Sequence, residues 1–195
     1  TGWRVYLDSF DVDLDVTGNP FQGDMTINLD YQDDAGADDT EGWNLVGNPF
    51  PCTIDFDAID LSDFSDVDTA YWVWVTDDVV TPQYGLYVRG DGTGTNGTTQ
   101  YVPHSQAIWL HATADNPTIT IREEDKNVTD QAFYKSTGTP ASNMLKVSAW
   151  NNAGLLCDQA ILKVNPAASN SFVNGEDFTK LWTSAGNIEL TTSLM

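Results

Sequence analysis

Asp33, Asp34, Asp38, Asp39 and Glu41 crowd one short stretch between two strand-like segments. Short carboxylates in a loop bond their own backbone and also reach hard cations through oxygen, so this loop is where a calcium ion is expected. The spacing is not that of an EF-hand. Two further sets of acids occur. Asp11, Asp13 and Asp15 alternate along one strand face, where carboxylates usually meet water, and Asp63, Asp66 and Asp68 fall in a second loop. A pair of carboxylates across a cleft is also what glycoside hydrolysis needs. Among 29 acidic side chains some pair fits by chance, so the pattern singles out no acid and no base. Nucleophilic catalysis finds still less: His104 and His111 are the only histidines and no Gly-x-Ser-x-Gly elbow exists. Two histidines at that spacing make no zinc site, and His111 is expected to cap the strand Ile108-Trp109-Leu110. No catalytic residue is assigned, and the chain reads as a non-enzyme.

Aromatic side chains form the other group with chemistry to offer. Trp72 and Trp74 share one face of a strand, with Tyr84 and Tyr87 close by in sequence. Flat aromatics beside Asp and Asn hold pyranose rings in sugar-binding modules. The alternative, which is favoured, is that one sheet face forms core and a neighbouring segment covers the other, since such a covered face also needs large apolar side chains.

The elements that must position these groups are strands. Phe10, Val12, Leu14 and Val16 alternate with polar residues, Tyr71, Val73 and Val75 alternate with Trp72 and Trp74, and Ile119 and Ile121 alternate with Thr118 and Thr120. Turn chemistry separates them: Gly18-Asn19-Pro20, Gly90-Asp91-Gly92, Asn96-Gly97 and Asp115-Asn116-Pro117. Only residues 56–65 and 175–183 leave room for a helical turn. The fold class predicted is all-β, an antiparallel, jelly-roll-like β-sandwich, with residues 1–125 as its core and 126–195 as a further β segment packing on it. Residues 2–16 and 107–121 share a hairpin-like pattern that any pair of β hairpins also shares.

The net charge of −21 excludes a class of partners. Nucleic acid phosphates and anionic membrane surfaces repel such a chain, and its few Lys and Arg form no cluster. No apolar run is long enough to span a bilayer as a helix. The chain is expected to be a piece of a longer polypeptide.

The stretch Gly42-Trp43-Asn44-Leu45-Val46-Gly47-Asn48-Pro49-Phe50-Pro51-Cys52 reads as a corner. Pro49 and Pro51 lack an N–H and push Asn48 and Phe50 toward extended backbone, so no strand continues through them. Trp43, Leu45 and Val46 end a strand, Gly47-Asn48 bends it, and Phe50 tucks beneath the corner before Ile54 and Phe56 resume the apolar pattern. This stretch, with Ala70-Tyr71-Trp72-Val73-Trp74-Val75, Tyr101-Val102-Pro103-His104-Ser105-Gln106-Ala107-Ile108-Trp109 and the segment from Met144 to Trp182, resembles in order and spacing a module of large secreted and surface proteins of the Bacteroidetes. That family carries a Gly-Trp-Asn-Leu-x-Gly-Asn-Pro-aromatic-Pro corner, often upstream of a type IX secretion sorting domain.

The resemblance implies an extracellular, cell-surface β module of structural or adhesive role, with neighbouring modules, other copies or glycans as partners, and it brings no catalytic residues. Cys52 and Cys157 stand where that family usually has small residues. As the only cysteines of a secreted-looking chain, they are expected to form a disulfide. The sequons at Asn96 and Asn127 predict nothing by themselves. Asp68-Thr69-Ala70 resembles an O-glycosylation signal of secreted Bacteroidetes proteins.

Overall fold

The computed structural model describes residues 17–31, 41–75, 83–129, 131, 144–150, 156–164 and 166. The predicted strand over residues 10–16, the acidic residues from Asp33 to Asp39 and the turn at 175–183 lie outside them. Within the described residues the fold is all-β and antiparallel, as the period-two pattern predicts.

Four strands form the main sheet. β2 (Trp43–Gly47) pairs with β8 (Ala107–His111), β8 with β5 (Ala70–Val75), and β5 with β6 (Gln83–Val88). Facing it are two three-stranded sheets. In one, β1 (Met25–Asn28) and β4 (Phe64–Ser65) flank β9 (Thr118–Ile121). In the other, β7 (Tyr101–Val102) and β10 (Lys126–Asn127) flank β3 (Thr53–Asp55). A single 3-10 turn at Leu61–Asp63 occupies the stretch where a helical turn was predicted. β11 (Met144–Trp150) and β12 (Leu156–Lys163) form a separate two-stranded sheet, in which Leu145, Val147 and Leu162 are exposed.

The core lies between the main sheet and the two smaller ones, which makes the architecture sandwich-like. Val46, Ile108, Leu110, Tyr71, Val73 and Tyr87 point inward from the main sheet, and Ile54, Val102, Ile119 and Ile121 point to meet them. Burying each such side chain stabilises the fold by about 1.5–3 kcal/mol. Phe56 is the hub. Its ring sits 5.1 Å from Tyr71, 5.5 Å from Phe64 and 6.4 Å from Tyr87, each pair edge to face. Gly85 lets the 95–98 turn lie against β6, because a Cβ there would stand 2.4 Å from Thr98 Cγ2.

The corner is built as its sequence predicts. Phe50 is buried, stacks on Phe21 at 5.8 Å and lies under the Lys126 ammonium at 4.2 Å. Asn48 ties the bend together. Its amide nitrogen donates to the carbonyls of Cys52 (2.8 Å), Pro103 (3.1 Å) and Val102 (3.2 Å), and its Oδ1 accepts the Phe50 N–H at 2.8 Å. Both prolines fit because neither position needs an N–H.

Cys52 is a half-buried thiol packed against the core cluster and is free among the described residues, while the side chain of Cys157, its expected partner, lies outside them. Cys52 belongs to the sandwich corner, whereas the backbone of Cys157 belongs to β12, whose only strand partner among the described residues is β11.

Candidate functional site

Alternation gives the main sheet a second face, and cross-strand partners in an antiparallel pair share a face. One row of this outer face runs Leu45 opposite Trp109, Trp109 opposite Trp72, and Trp72 opposite Leu86, crossing all four strands. To one side Trp74 stands opposite Tyr84, and to the other Trp43 stands opposite His111. The rings interlock edge to face. Trp74 and Tyr84 lie 4.7 Å apart at 73°, Trp43 and Trp72 4.7 Å apart at 83°, and Trp43 leans on His111 at 4.8 Å. Trp43, Trp74, Tyr84 and Trp109 are half-buried, and Trp72 is only 5% exposed.

The four predicted ligand-binding aromatics therefore divide. Trp72, Trp74 and Tyr84 do share the outer face, with Trp72 sunk between its neighbours. Tyr87 does not: it points into the core at 0% exposure, because the alternation along β6 puts it opposite Tyr71 rather than beside Tyr84. Its hydroxyl sits between the two oxygens of Asp57 at 2.8 and 2.9 Å and accepts the Gly92 N–H at 3.3 Å. Burial, and then the Asp57 carboxylate, push the Tyr87 phenol well above its usual range. No sugar ring can stack on it.

At the far end of the face a polar pair closes the sheet. His111 Nδ1 donates to Asp68 Oδ2 at 2.8 Å, and the Asp68 N–H donates back to the His111 carbonyl at 2.9 Å. A β-bridge between Val67 and Ala112 continues this contact. Beside it the Ala112 N–H donates to the Gly42 carbonyl at 2.7 Å. Gly42, at φ 72°, is required there, since a Cβ would stand 2.2 Å from the Ala112 carbonyl oxygen. That close approach delivers Trp43 to His111. His111 thus holds a buried carboxylate rather than serving only as a strand end. The pair was hidden in the sequence because its members lie 43 residues apart. Trp43 and Trp109 were also missed as members of the aromatic face, although the alternation in Trp43-Asn44-Leu45 and Ile108-Trp109-Leu110 was there to find them.

The other carboxylates scatter. Asp63 is held by the Arg122 guanidinium, with Nε donating at 2.8 Å, and this pairing raises the Arg122 pKa. Asp66 lies at φ 54° and accepts the Thr113 N–H at its carbonyl. Asp63, Asp66 and Asp68 therefore serve separate partners. Of the five acids expected to bind calcium, only the half-buried Glu41 is among the described residues, and these hold no group of three or more His, Cys, Asp or Glu placed for a metal ion. His104 is exposed, and its Nδ1 lies 3.4 Å from Ser105 Oγ. The sequon residue Asn96 is engaged, its amide donating to the Tyr84 carbonyl at 2.7 Å. In Asp68-Thr69-Ala70 the outer two residues are buried and Thr69 is half-buried.

The geometry defines a sandwich-like all-β protein with an aromatic outer face on its largest sheet. Comparison of the chain with protein-family models, curated proteins and solved structures found no match in any of the three. No helix among the described residues is long and apolar enough to cross a membrane.

Proposed function

We propose that the chain is a non-enzymatic extracellular β module, a structural and adhesive part of a longer bacterial surface protein. The observation that carries this reading is the outer face of the main sheet. Four tryptophans, Trp43, Trp72, Trp74 and Trp109, stand there with Tyr84 and two leucines, on the side away from the core. Aromatic residues are enriched at interface cores because they bring large contact area with little conformational entropy to lose. The polar groups nearest this face hold backbone and loops in place, as His111 does with Asp68. The cell-surface location and the longer parent chain rest on the resemblance of the corner and its companion stretches to the secreted Bacteroidetes module.

A carbohydrate-binding module of a larger secreted enzyme is the second reading, and the half-buried Trp74–Tyr84 pair favours it. Self-association followed by sedimentation, alongside retention on immobilised glycans, separates the two for the native chain and a Trp74→Ala/Tyr84→Ala variant. Loss of assembly alone supports the adhesive reading, and loss of glycan retention alone supports the second. A folded variant matching the parent in both removes the face from function. Calcium is proposed for the acidic loop that includes Glu41. Adding millimolar calcium after chelation should raise the melting temperature, and an unchanged value would count against a site.

A further inference from the structure

Two buried polar atoms near His111 stand out. Trp43 Nε1 and Asp68 Oδ1 are both shielded from solvent, and neither has a hydrogen-bond partner among the described residues. Buried polar groups are almost always paired, since leaving one unpaired carries its full desolvation cost. The two are complementary, one a pure donor and the other a pure acceptor. Their residues also border one ring. Trp43 packs on His111 at 4.8 Å, and His111 Nδ1 is bonded to the other oxygen of Asp68 at 2.8 Å.

We propose that Trp43 Nε1, Asp68 Oδ1 and the edge of His111 form a binding site for one small neutral hydroxylic molecule, a long-lived internal water. The chemistry of the two poles selects the class of guest. An indole N–H offers a cation nothing, and a carboxylate oxygen repels an anion. A guest meeting both must accept from one and donate to the other, which a hydroxyl does. Its size follows from burial, because Asp68 as a whole is only 4% exposed. A water with two to four polar partners is the usual occupant of such a place.

The position gives the site a purpose. It links the start of β2 to the loop before β5 across the end of β8, and so fixes the orientation of Trp43 against Trp72 at one end of the aromatic face.

The test is a water-selective rotating-frame Overhauser spectrum of the full chain with nitrogen-15-labelled indoles, each assigned by a single Trp→Phe substitution. The Trp43 indole proton should show a cross-peak to a water whose residence time exceeds that of bulk hydration. Asp68→Ala should abolish that cross-peak. Absence of the cross-peak in the native chain overturns the proposal without any variant, since it shows the indole to be dry. An undiminished cross-peak in a folded Asp68→Ala protein also overturns it, because the water would then not depend on the carboxylate.

Discussion

The inner and outer faces of the main sheet are drawn from the same residue types along the same strands, yet they are finished differently. On β5 and β6 the inner face carries Tyr71, Val73, Val75 and Tyr87, all fully buried or nearly so, and both tyrosine hydroxyls are paired, Tyr71 with the Thr99 carbonyl at 2.5 Å and Tyr87 with Asp57. The outer face carries Trp72, Trp74, Tyr84 and Leu86, mostly half-buried, and at its end the Trp43 indole N–H has no hydrogen-bond partner among the described residues. Alternation decides which residues share a face, but what lies opposite decides whether that face becomes core. The inner face meets Ile54, Phe56, Val102 and Ile119, whereas the outer rings mainly brace one another edge to face.

The sharpest test of this contrast removes a ring from the inner face. Tyr87→Ala should destabilise the fold by about 3–5 kcal/mol, because the cavity left beside Phe56 and Tyr71 cannot collapse. Urea unfolding measures the loss. Tyr87→Phe, which keeps the ring and leaves Asp57 short of one donor, should cost about 1–3 kcal/mol. A value for Tyr87→Ala near that of Tyr87→Phe would mean that the hydroxyl, not the ring, anchors β6.

The corner lies just outside both faces and should come next in size. Asn48→Ala removes a side chain that bonds three carbonyls and one N–H, and a loss of about 2–4 kcal/mol is expected. Asn48→Asp keeps the acceptor for the Phe50 N–H but loses the donors to Cys52, Val102 and Pro103, so it should recover little. Full recovery would place the stabilisation in the turn at Phe50 rather than in the link to the strand that follows.

Trp74→Ala probes the outer face. Half-buried and edge to face with Tyr84, it should cost roughly 1–2 kcal/mol, less than Tyr87→Ala, while weakening assembly or adhesion if that face is the contact surface. Equal losses from Trp74→Ala and Tyr87→Ala in the same denaturant series would erase the distinction between the faces.

Much of this was legible in the sequence for one physical reason: strand periodicity and proline geometry are local. The corner at Asn48, Pro49 and Pro51, the burial of Phe50 and the common face of Trp72 and Trp74 all follow from residues within a few positions of each other. What escaped was non-local. The side of β6 on which Tyr87 lies depends on its register with β5, where it stands opposite Tyr71. The Asp68–His111 contact needs a bridge between the loop before β5 and the end of β8. The expected Cys52–Cys157 bond rests on composition and resemblance, and the side chain of Cys157 lies outside the described residues.

The smallest effect expected is electrostatic and separates two neighbouring acids. Asp125 is buried at the turn after β9, where its Oδ2 accepts the Arg122 N–H at 2.6 Å. Burial, helped by the nearby charges of Asp63 and Glu124, holds its carboxyl above the usual range despite that hydrogen bond. The unfolded chain therefore releases this proton first. Stability contributed by the protonated Asp125 is present at low pH and is lost as pH rises from the ordinary value of 3.8 through the higher folded one. Glu123 runs the other way. Its carboxyl is lowered by the Lys126 ammonium and then by the Gly23 N–H, so its contribution is present above 4.5 and is lost as pH falls. Asp125→Asn keeps an oxygen for the Arg122 N–H and removes only the ionisation. The variant should therefore gain on the parent in urea unfolding as pH rises above 3.8, and Glu123→Gln should lose ground as pH rises toward 4.5. Parallel curves for Asp125→Asn and the parent would mean that the folded protein accommodates the charge of Asp125 as well as water does.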